Sequence, residues 1–402
     1  MFSPLTLIKT LEVLESVFIF LFPVALVTSI TATGIIVYLG AIVFISLLIL
    51  KQKNRAIEQY FLNFSQLHIA FLIYIFTFTL TKFINSGVKS GFNICFSSCQ
   101  DYFVLLWSVL FIAKSYKNQK LIKYAILTAA IISVVYGMLQ LFHLDIFHRQ
   151  VNVQRISGFH KNPYSYGGQL IVFFFFLLSW CKDKFNNIPR LVILTLCFIC
   201  LLNTSERAVI LGVVLGIVLY FSLEKIKINE LPQIAFILII PIFLTYVLNT
   251  KVIKRIRRTV LPVTGDKQNI RFRLWGIAIA IWKRNILFGA GKFPTVYRET
   301  VNGFPLKELT HAHNTYLQLL VTNGIIGTLA FLNLFLSMIR ILLANLKVSK
   351  YSAGFLAILL SFFVEGFFEY FWGDSEVKYA LLYFAGFVFG SLLESDTKEC
   401  KI

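Results

Sequence analysis

The chain has 402 residues, of which 57% are hydrophobic and only 14% charged. That is more apolar surface than a water-soluble fold of this length can bury, so a soluble enzyme is excluded and the bilayer is the solvent. The net charge is nevertheless +19, and topology signal in cytoplasmic loops accounts for only part of it.

Near the N-terminus, Lys9 precedes an apolar run from Val17 to Val27, with small residues at Thr31–Gly34. This has the outline of a secretory leader, but another apolar run, Ile35–Leu50, follows at once, so the first span is expected to be retained. At about 20 apolar residues per span, the predicted spans are 14–31, 34–50, 62–81, 94–113, 121–141, 164–181, 190–205, 207–223, 232–249, 314–343, 352–372 and 376–393. The expected fold is all-α and polytopic, with about twelve transmembrane helices. The chain divides into residues 1–249 with nine spans, an outer loop at 250–312 and three spans with a tail at 313–402. Short loops carrying Lys51, Lys53 and Arg55; Lys114, Lys117 and Lys120; Lys182, Lys184 and Arg190; Lys225 and Lys227; and Lys347 and Lys350 fall on one side. The positive-inside rule makes that side cytoplasmic, with both termini inside. The six cysteines are scattered, and Cys197 and Cys200 lie mid-span without His or acidic neighbours. They read as small buried side chains, with no metal or redox role.

The long outer loop breaks the charge rule. From Lys251 to Arg273 it carries Lys251, Lys254, Arg255, Arg257, Arg258, Lys267, Arg271 and Arg273 against Asp266 alone. Eight cations facing one anion call for an anionic partner, whether lipid phosphates or a phosphorylated substrate. The stretch 270–284 places Leu274, Trp275, Ala278, Ile281 and Trp282 on one helical face, which predicts an amphipathic helix lying on the membrane surface. Gly289 and Gly291 in FGAGKF then allow a tight turn.

Four polar clusters share the predicted outer face: RISGFHKNP at Arg155–Pro163, TSER at Thr204–Arg207, the pair Arg271 and Arg273, and HAHN at His311–Asn314. Singly, each has a structural explanation; Arg207 reads as a helix cap, for example. Together they present several guanidinium groups, imidazoles and few acids. Arginine forks bind phosphate oxygens bidentately and keep their charge, which suits a diphosphate leaving group. Histidine can take a proton from an incoming hydroxyl near neutral pH. This set points to a reaction on a phosphate-bearing lipid, with protein cations in the place of a divalent metal.

The segment His313-Asn314, nine residues, then Gly324-Ile-Ile-Gly327 resembles the H-[NSQ]-x(9)-G-x-x-[GTY] signature of bacterial O-antigen ligases. Arg271–Trp275 (R-x-x-x-W), Gly289–Gly291 (G-x-G), Arg207 in TSER and RISGFHKNP occur in the order found in that superfamily, so the resemblance runs from Arg155 to Gly327. It implies transfer of a glycan from undecaprenyl diphosphate to an acceptor hydroxyl, without cofactor or metal and usually with inversion. Arg207 and Arg271 would bind the diphosphate, and His313 would act on the acceptor hydroxyl. Arg155, Arg273, His311, Asn314, Gly289 and Gly291 would contribute to donor binding, while Gly324 and Gly327 would let the tenth span pack closely. Two departures stand out: Glu206 precedes the arginine, where it is placed to pair with Arg207, and the proline usual before G-x-G is absent. The family also commonly has an acid near the outer end of the eleventh span, for which Glu365, Glu369 and Asp374 compete.

The expected partners are an undecaprenyl-diphosphate glycan, a lipid A–core acceptor and membrane lipids, with no nucleic acid. The expected location is the bacterial inner membrane with the site facing the periplasm. The nearest alternatives are an O-antigen polymerase and a protein O-oligosaccharyltransferase. A twelve-span transporter or flippase fits less well, because span centres are almost free of charge and the polar groups gather on one face.

Overall fold

The computed structural model describes residues 4–51, 55–147, 155–181, 188–224, 230–248, 266–294, 296–297 and 308–399. The helices are α1 (Pro4–Thr28), α2 (Ile30–Lys51), α3 (Arg55–Asn63), α4 (Ser65–Ser86), α5 (Val88–Ala113), α6 (Tyr116–Leu141), α7 (Pro163–Cys181), α8 (Ile188–Asn203), α9 (Arg207–Leu223) and α10 (Leu231–Leu248). They continue with α11 (Asp266–Arg284), α12 (Thr315–Ala344), α13 (Lys350–Glu365) and α14 (Ser375–Glu399), with a 3-10 turn at Phe371–Gly373. The described strands are β1 (Val296–Tyr297) and β2 (Glu308–Leu309), a two-residue antiparallel ladder. Among the described residues, seven helices are long and apolar enough to cross a membrane, and three shorter ones are also apolar. The chain is a helical, multi-pass membrane protein.

A helix that is apolar all round belongs in the interior of a bundle. This is the position of α7, whose Phe174, Phe175 and Phe176 are fully buried. Phe176 packs edge-on to Phe384 and Phe387 of α14 and stacks on Tyr351 of α13. Cys197 and Cys200 are likewise buried, their thiols 3.8 Å from the Leu170 carbonyl and 3.6 Å from that of Val134. Leu, Ile and Phe side chains cover much of the outside, as a hydrocarbon solvent permits.

The two ends of the bundle differ. At one, the starts and ends of α1, α2, α5 and α6 carry basic residues, with Lys51 paired to Glu12 and Lys114 to Glu15 at 2.7 Å. At the other, loops interlock: the Ile156 amide donates to the Asn203 carbonyl at 3.3 Å, the Thr315 amide to the Gly366 carbonyl at 2.7 Å, and the Ser165 hydroxyl to Asp374. The candidate site residues gather at this second end.

Several expectations change. The eleventh span, expected at 352–372, leaves the helix at Glu365 and continues as a turn and the 3-10 segment. The cause is tertiary: the Thr315 amide, the Asn314 side-chain amide and the Thr315 hydroxyl take the carbonyls of Gly366, Phe367 and Glu369, drawing that stretch across to α12. The polar stretch before the third span forms the separate helix α3. The bundle interior is not free of charge, since Lys378 of α14 reaches the buried Asp101 of α5 at 2.8 Å. The amphipathic helix is present as α11, but Leu274 and Ala278 are buried against Phe293, Ala312 and Val321, so its inner face packs on protein. The basic run Lys251–Arg258 lies outside the described residues.

α12 carries the sharpest backbone feature. Gly324 sits inside it with φ 64° and ψ −167°, and the helix kinks there. A Cβ at that position would land on the Leu287 carbonyl, because the 285–291 turn lies directly on the kink. The free amides of Ile325 and Ile326 donate to the carbonyls of Ile286 and Leu287 at 2.9 and 3.3 Å. Left-handed backbone plus close approach should make Gly324→Ala cost about 2 kcal/mol or more, read as a lower Tm in detergent. Gly276→Ala in α11, where a Cβ meets nothing within 4 Å, should be neutral or slightly stabilising. Equal Tm values for the two variants would refute the constraint at the kink.

Candidate functional site

The centre of the site is a buried carboxylate between two imidazoles. Glu369 is only 7% exposed. Nδ1 of His313 lies 3.0 and 3.1 Å from its two oxygens, and Nε2 of His311 lies 3.4 Å from Oε1. The two rings are 4.1 Å apart. Burial alone would raise the Glu369 carboxyl, but the hydrogen bonds and charge of His311 and His313 outweigh it and hold it at about 2, so it stays an anion at any physiological pH. Its backbone is fixed as well, since the Thr315 hydroxyl donates to its carbonyl at 2.8 Å.

His313 has φ 47°, in the left-handed region that a non-glycine residue seldom adopts. Its neighbours hold it there. The Ala312 amide donates to the Gln318 side chain at 2.9 Å. Asn314 caps α12 by accepting from the Leu317 amide at 2.9 Å and donates to the Phe367 carbonyl at 3.0 Å. Such strain persists where surrounding bonds over-determine it, and it aims the side chain. With Nδ1 directed at Glu369, Nε2 is the ring atom left for a substrate proton.

A second group lies around the start of α7. Arg155 donates from Nε to the Thr204 carbonyl at 3.1 Å and pairs with the buried Glu206. Its guanidinium also lies 5.7 Å from the Tyr164 ring centre. The Tyr164 hydroxyl accepts from Nη2 of Arg271 at 3.5 Å. Tyr164 thus joins Arg155 and the TSER turn to α11. Arg271 is half-buried one turn before Leu274, whose packing on Ala312 brings α11 beside the two histidines. Arg207 opens α9 and is exposed, as is Arg273 on α11.

The structure gathers Arg155, Arg207, Arg271, Arg273, His311 and His313 at one end of the bundle, and it shows that some of them have structural work. Glu206, expected beside Arg207, pairs with Arg155. Asn314 spends both ends of its amide inside the protein. Gly289 packs on the α12 kink, where a Cβ would sit 2.6 Å from the Gly324 nitrogen. A Cβ at Gly291, whose φ is +74°, would sit 2.7 Å from Asn85 at the end of α4, and its carbonyl accepts from Lys82 of the same helix. Close packing therefore accounts for both glycines of G-x-G. Sequence reasoning missed Tyr164 altogether and could not choose among Glu365, Glu369 and Asp374. Glu369 contacts the histidines, Glu365 is buried with Oε2 unpartnered, and Asp374 accepts from Ser165. Only the early end of α13 makes that choice visible.

His311, His313 and Glu369 are also placed as a metal-ligating set would be, each offering one atom within 4.8 Å of the others. Fold and site together define a multi-pass membrane protein with a carboxylate-oriented histidine and a cluster of arginines at one end of its bundle. Residues 191–332, about a third of the chain, match the family model described as O-antigen ligase, a likeness that supports glycosyl-transfer chemistry of the O-antigen ligase or polymerase type. Arg207, Arg271, His313 and Gly324 fall inside the matched segment; Arg155, Tyr164 and Glu369 fall outside it. No curated protein matches the chain.

Burial, together with the carboxylates of Glu376 and Glu369, pushes Asp374 up to about 8, against the hydrogen bond from Ser165. An aspartate near 3.9 in the unfolded chain then holds its proton more tightly when folded. Stability therefore falls as pH rises from about 4 and levels off above about 8. Wild-type Tm in detergent should drop between about pH 6 and 8, and Asp374→Asn should drop less. An equal drop in both proteins would refute the assignment.

Proposed function

We propose that this protein transfers a glycan from undecaprenyl diphosphate to a hydroxyl of lipid A–core, at the periplasmic face of the bacterial inner membrane. Twelve spans, α1, α2, α4 to α10 and α12 to α14, would put the basic short loops in the cytoplasm and the His/Arg end outside. The observation that carries the reading is His313 held through Nδ1 by a buried, ionised Glu369 beside arginine-bearing segments. A fixed Nδ1–H leaves the Nε2 lone pair to accept the proton of the acceptor hydroxyl. The hydroxyl oxygen forms the new bond to the anomeric carbon while the bond from that carbon to the diphosphate oxygen breaks. The electron pair leaves on the diphosphate.

The leaving diphosphate gains negative charge, and preorganised cations stabilise it without reorganisation. Arg271, steadied by Tyr164, and Arg207 at the start of α9 are assigned to that task, with Arg273 beside them. Arg155 is committed to Glu206 and the Thr204 carbonyl, so its part is to hold the 155–163 segment against the TSER turn. His311 shares the Glu369 carboxylate and lines the acceptor side.

Purified protein given an undecaprenyl-diphosphate glycan and lipid A–core should yield the joined product. His313→Ala and Glu369→Gln should each lower the rate about 10²-fold or more, the usual contribution of a positioned general base. Arg155→Lys should act mainly through stability. No product with wild type would overturn the ligase reading, and full activity in His313→Ala would overturn the role of that residue. Donor chains that lengthen without the core acceptor would assign a polymerase instead.

A further inference from the structure

From the geometry of His311, His313 and Glu369 we infer a binding site for a Zn²⁺-class divalent cation, whose occupancy blocks His313. Metal–nitrogen and metal–oxygen bonds of 2.0–2.1 Å in a tetrahedral site give ligand-to-ligand edges of about 3.3 Å. The two edges to Glu369 match this: His313 Nδ1 lies 3.0 and 3.1 Å from its two oxygens and His311 Nε2 3.4 Å from Oε1, and all three ligand atoms lie within 4.8 Å of one another. Two imidazoles and one carboxylate, with a position left open toward solvent, suit a borderline cation better than Mg²⁺ or Ca²⁺, which prefer oxygen. Access exists on the His311 side, where 34% of that side chain is exposed.

A second observation adds to the first. One turn before Glu369, Glu365 is 1% exposed and its Oε2 has no hydrogen-bond partner. A buried carboxyl that lacks a partner is costly, and a cation seated on Glu369 would relieve that cost at short range.

The consequence follows from imidazole chemistry and rests on the proposed role of His313. A neutral ring has one lone pair and one N–H. In the metal-free site Nδ1 donates to Glu369, and the lone pair is on Nε2. A cation bound at Nδ1 leaves the ring proton on Nε2, which then cannot accept a proton from a hydroxyl. The same carboxylate that prepares the base without metal becomes a ligand that silences it with metal.

The test uses purified, chelator-treated protein in detergent, titrated with CoCl₂ and read by visible ligand-field absorption and by bound metal per chain. One Co²⁺ per chain with tetrahedral-type absorption is expected, displaced by ZnCl₂. Binding should weaken at least about 10-fold in His311→Ala and in Glu369→Gln, the scale of losing a ligand. If Glu369→Gln fails to fold, the partly exposed His311 decides. No binding by wild type up to about 100 μM CoCl₂, or binding that survives both substitutions, overturns the site. This readout needs no glycan, so it succeeds or fails independently of the transfer assay. In that assay ZnCl₂ should stop transfer and a chelator restore it; transfer unaffected by saturating Zn²⁺ overturns the proposed block.

Discussion

The buried carboxylate of Glu369 is the constraint around which the functional end is organised. A buried anion needs donors, and His311 and His313 supply them. To meet them, the chain leaves α13 at Glu365, one turn before Glu369, and the released carbonyls of Gly366, Phe367 and Glu369 are taken up by Asn314 and Thr315 at the start of α12. Two helix ends are therefore welded at the point where His313 is presented. Neither helix could shift by a turn without stranding a charge or several backbone carbonyls away from water.

The outer segments are fastened to this frame from two sides. On one, the 285–291 turn bonds to the α12 kink at Gly324 and is tied to α4 through Lys82 and Asn85. On the other, α11 packs Leu274 and Ala278 onto Ala312 and Val321. A kink releases amides that an unbroken helix would keep, and those amides hold the turn. The glycines of the G-x-G element and of the His signature thus belong to a single joint, Gly289 against Gly324, though the sequence separates them by more than thirty residues.

The class of fold was legible because hydrophobic runs and basic loops obey the bilayer directly. His313 and the arginines could be named for the same kind of reason, since polar residues beside spans are few and their spacing matches a known family. Glu369 stayed ambiguous because three acids lie within ten residues, and only tertiary hydrogen bonds decide where α13 stops. Tyr164 left no signal, as a tyrosine at a helix start is ordinary at a membrane interface. Its value comes from two guanidinium groups brought to it by distant segments. The role of α11 was misjudged because an amphipathic face looks the same whether lipid or protein covers it.

The TSER turn shows how one short motif divides two tasks. Ser205 has φ 56°, and the tight turn it makes between α8 and α9 sends adjacent side chains in opposite directions. Glu206 points inward, 2% exposed, and neutralises Arg155; Arg207 points outward at the mouth of α9. The acid that precedes Arg207 in the chain pairs with Arg155. Without it the half-buried Arg155 would repel a second guanidinium brought near through Tyr164, and Arg271 could not approach. Neutralising Arg155 at the TSER turn is what allows Arg271 to stand beside it across Tyr164 with its charge kept.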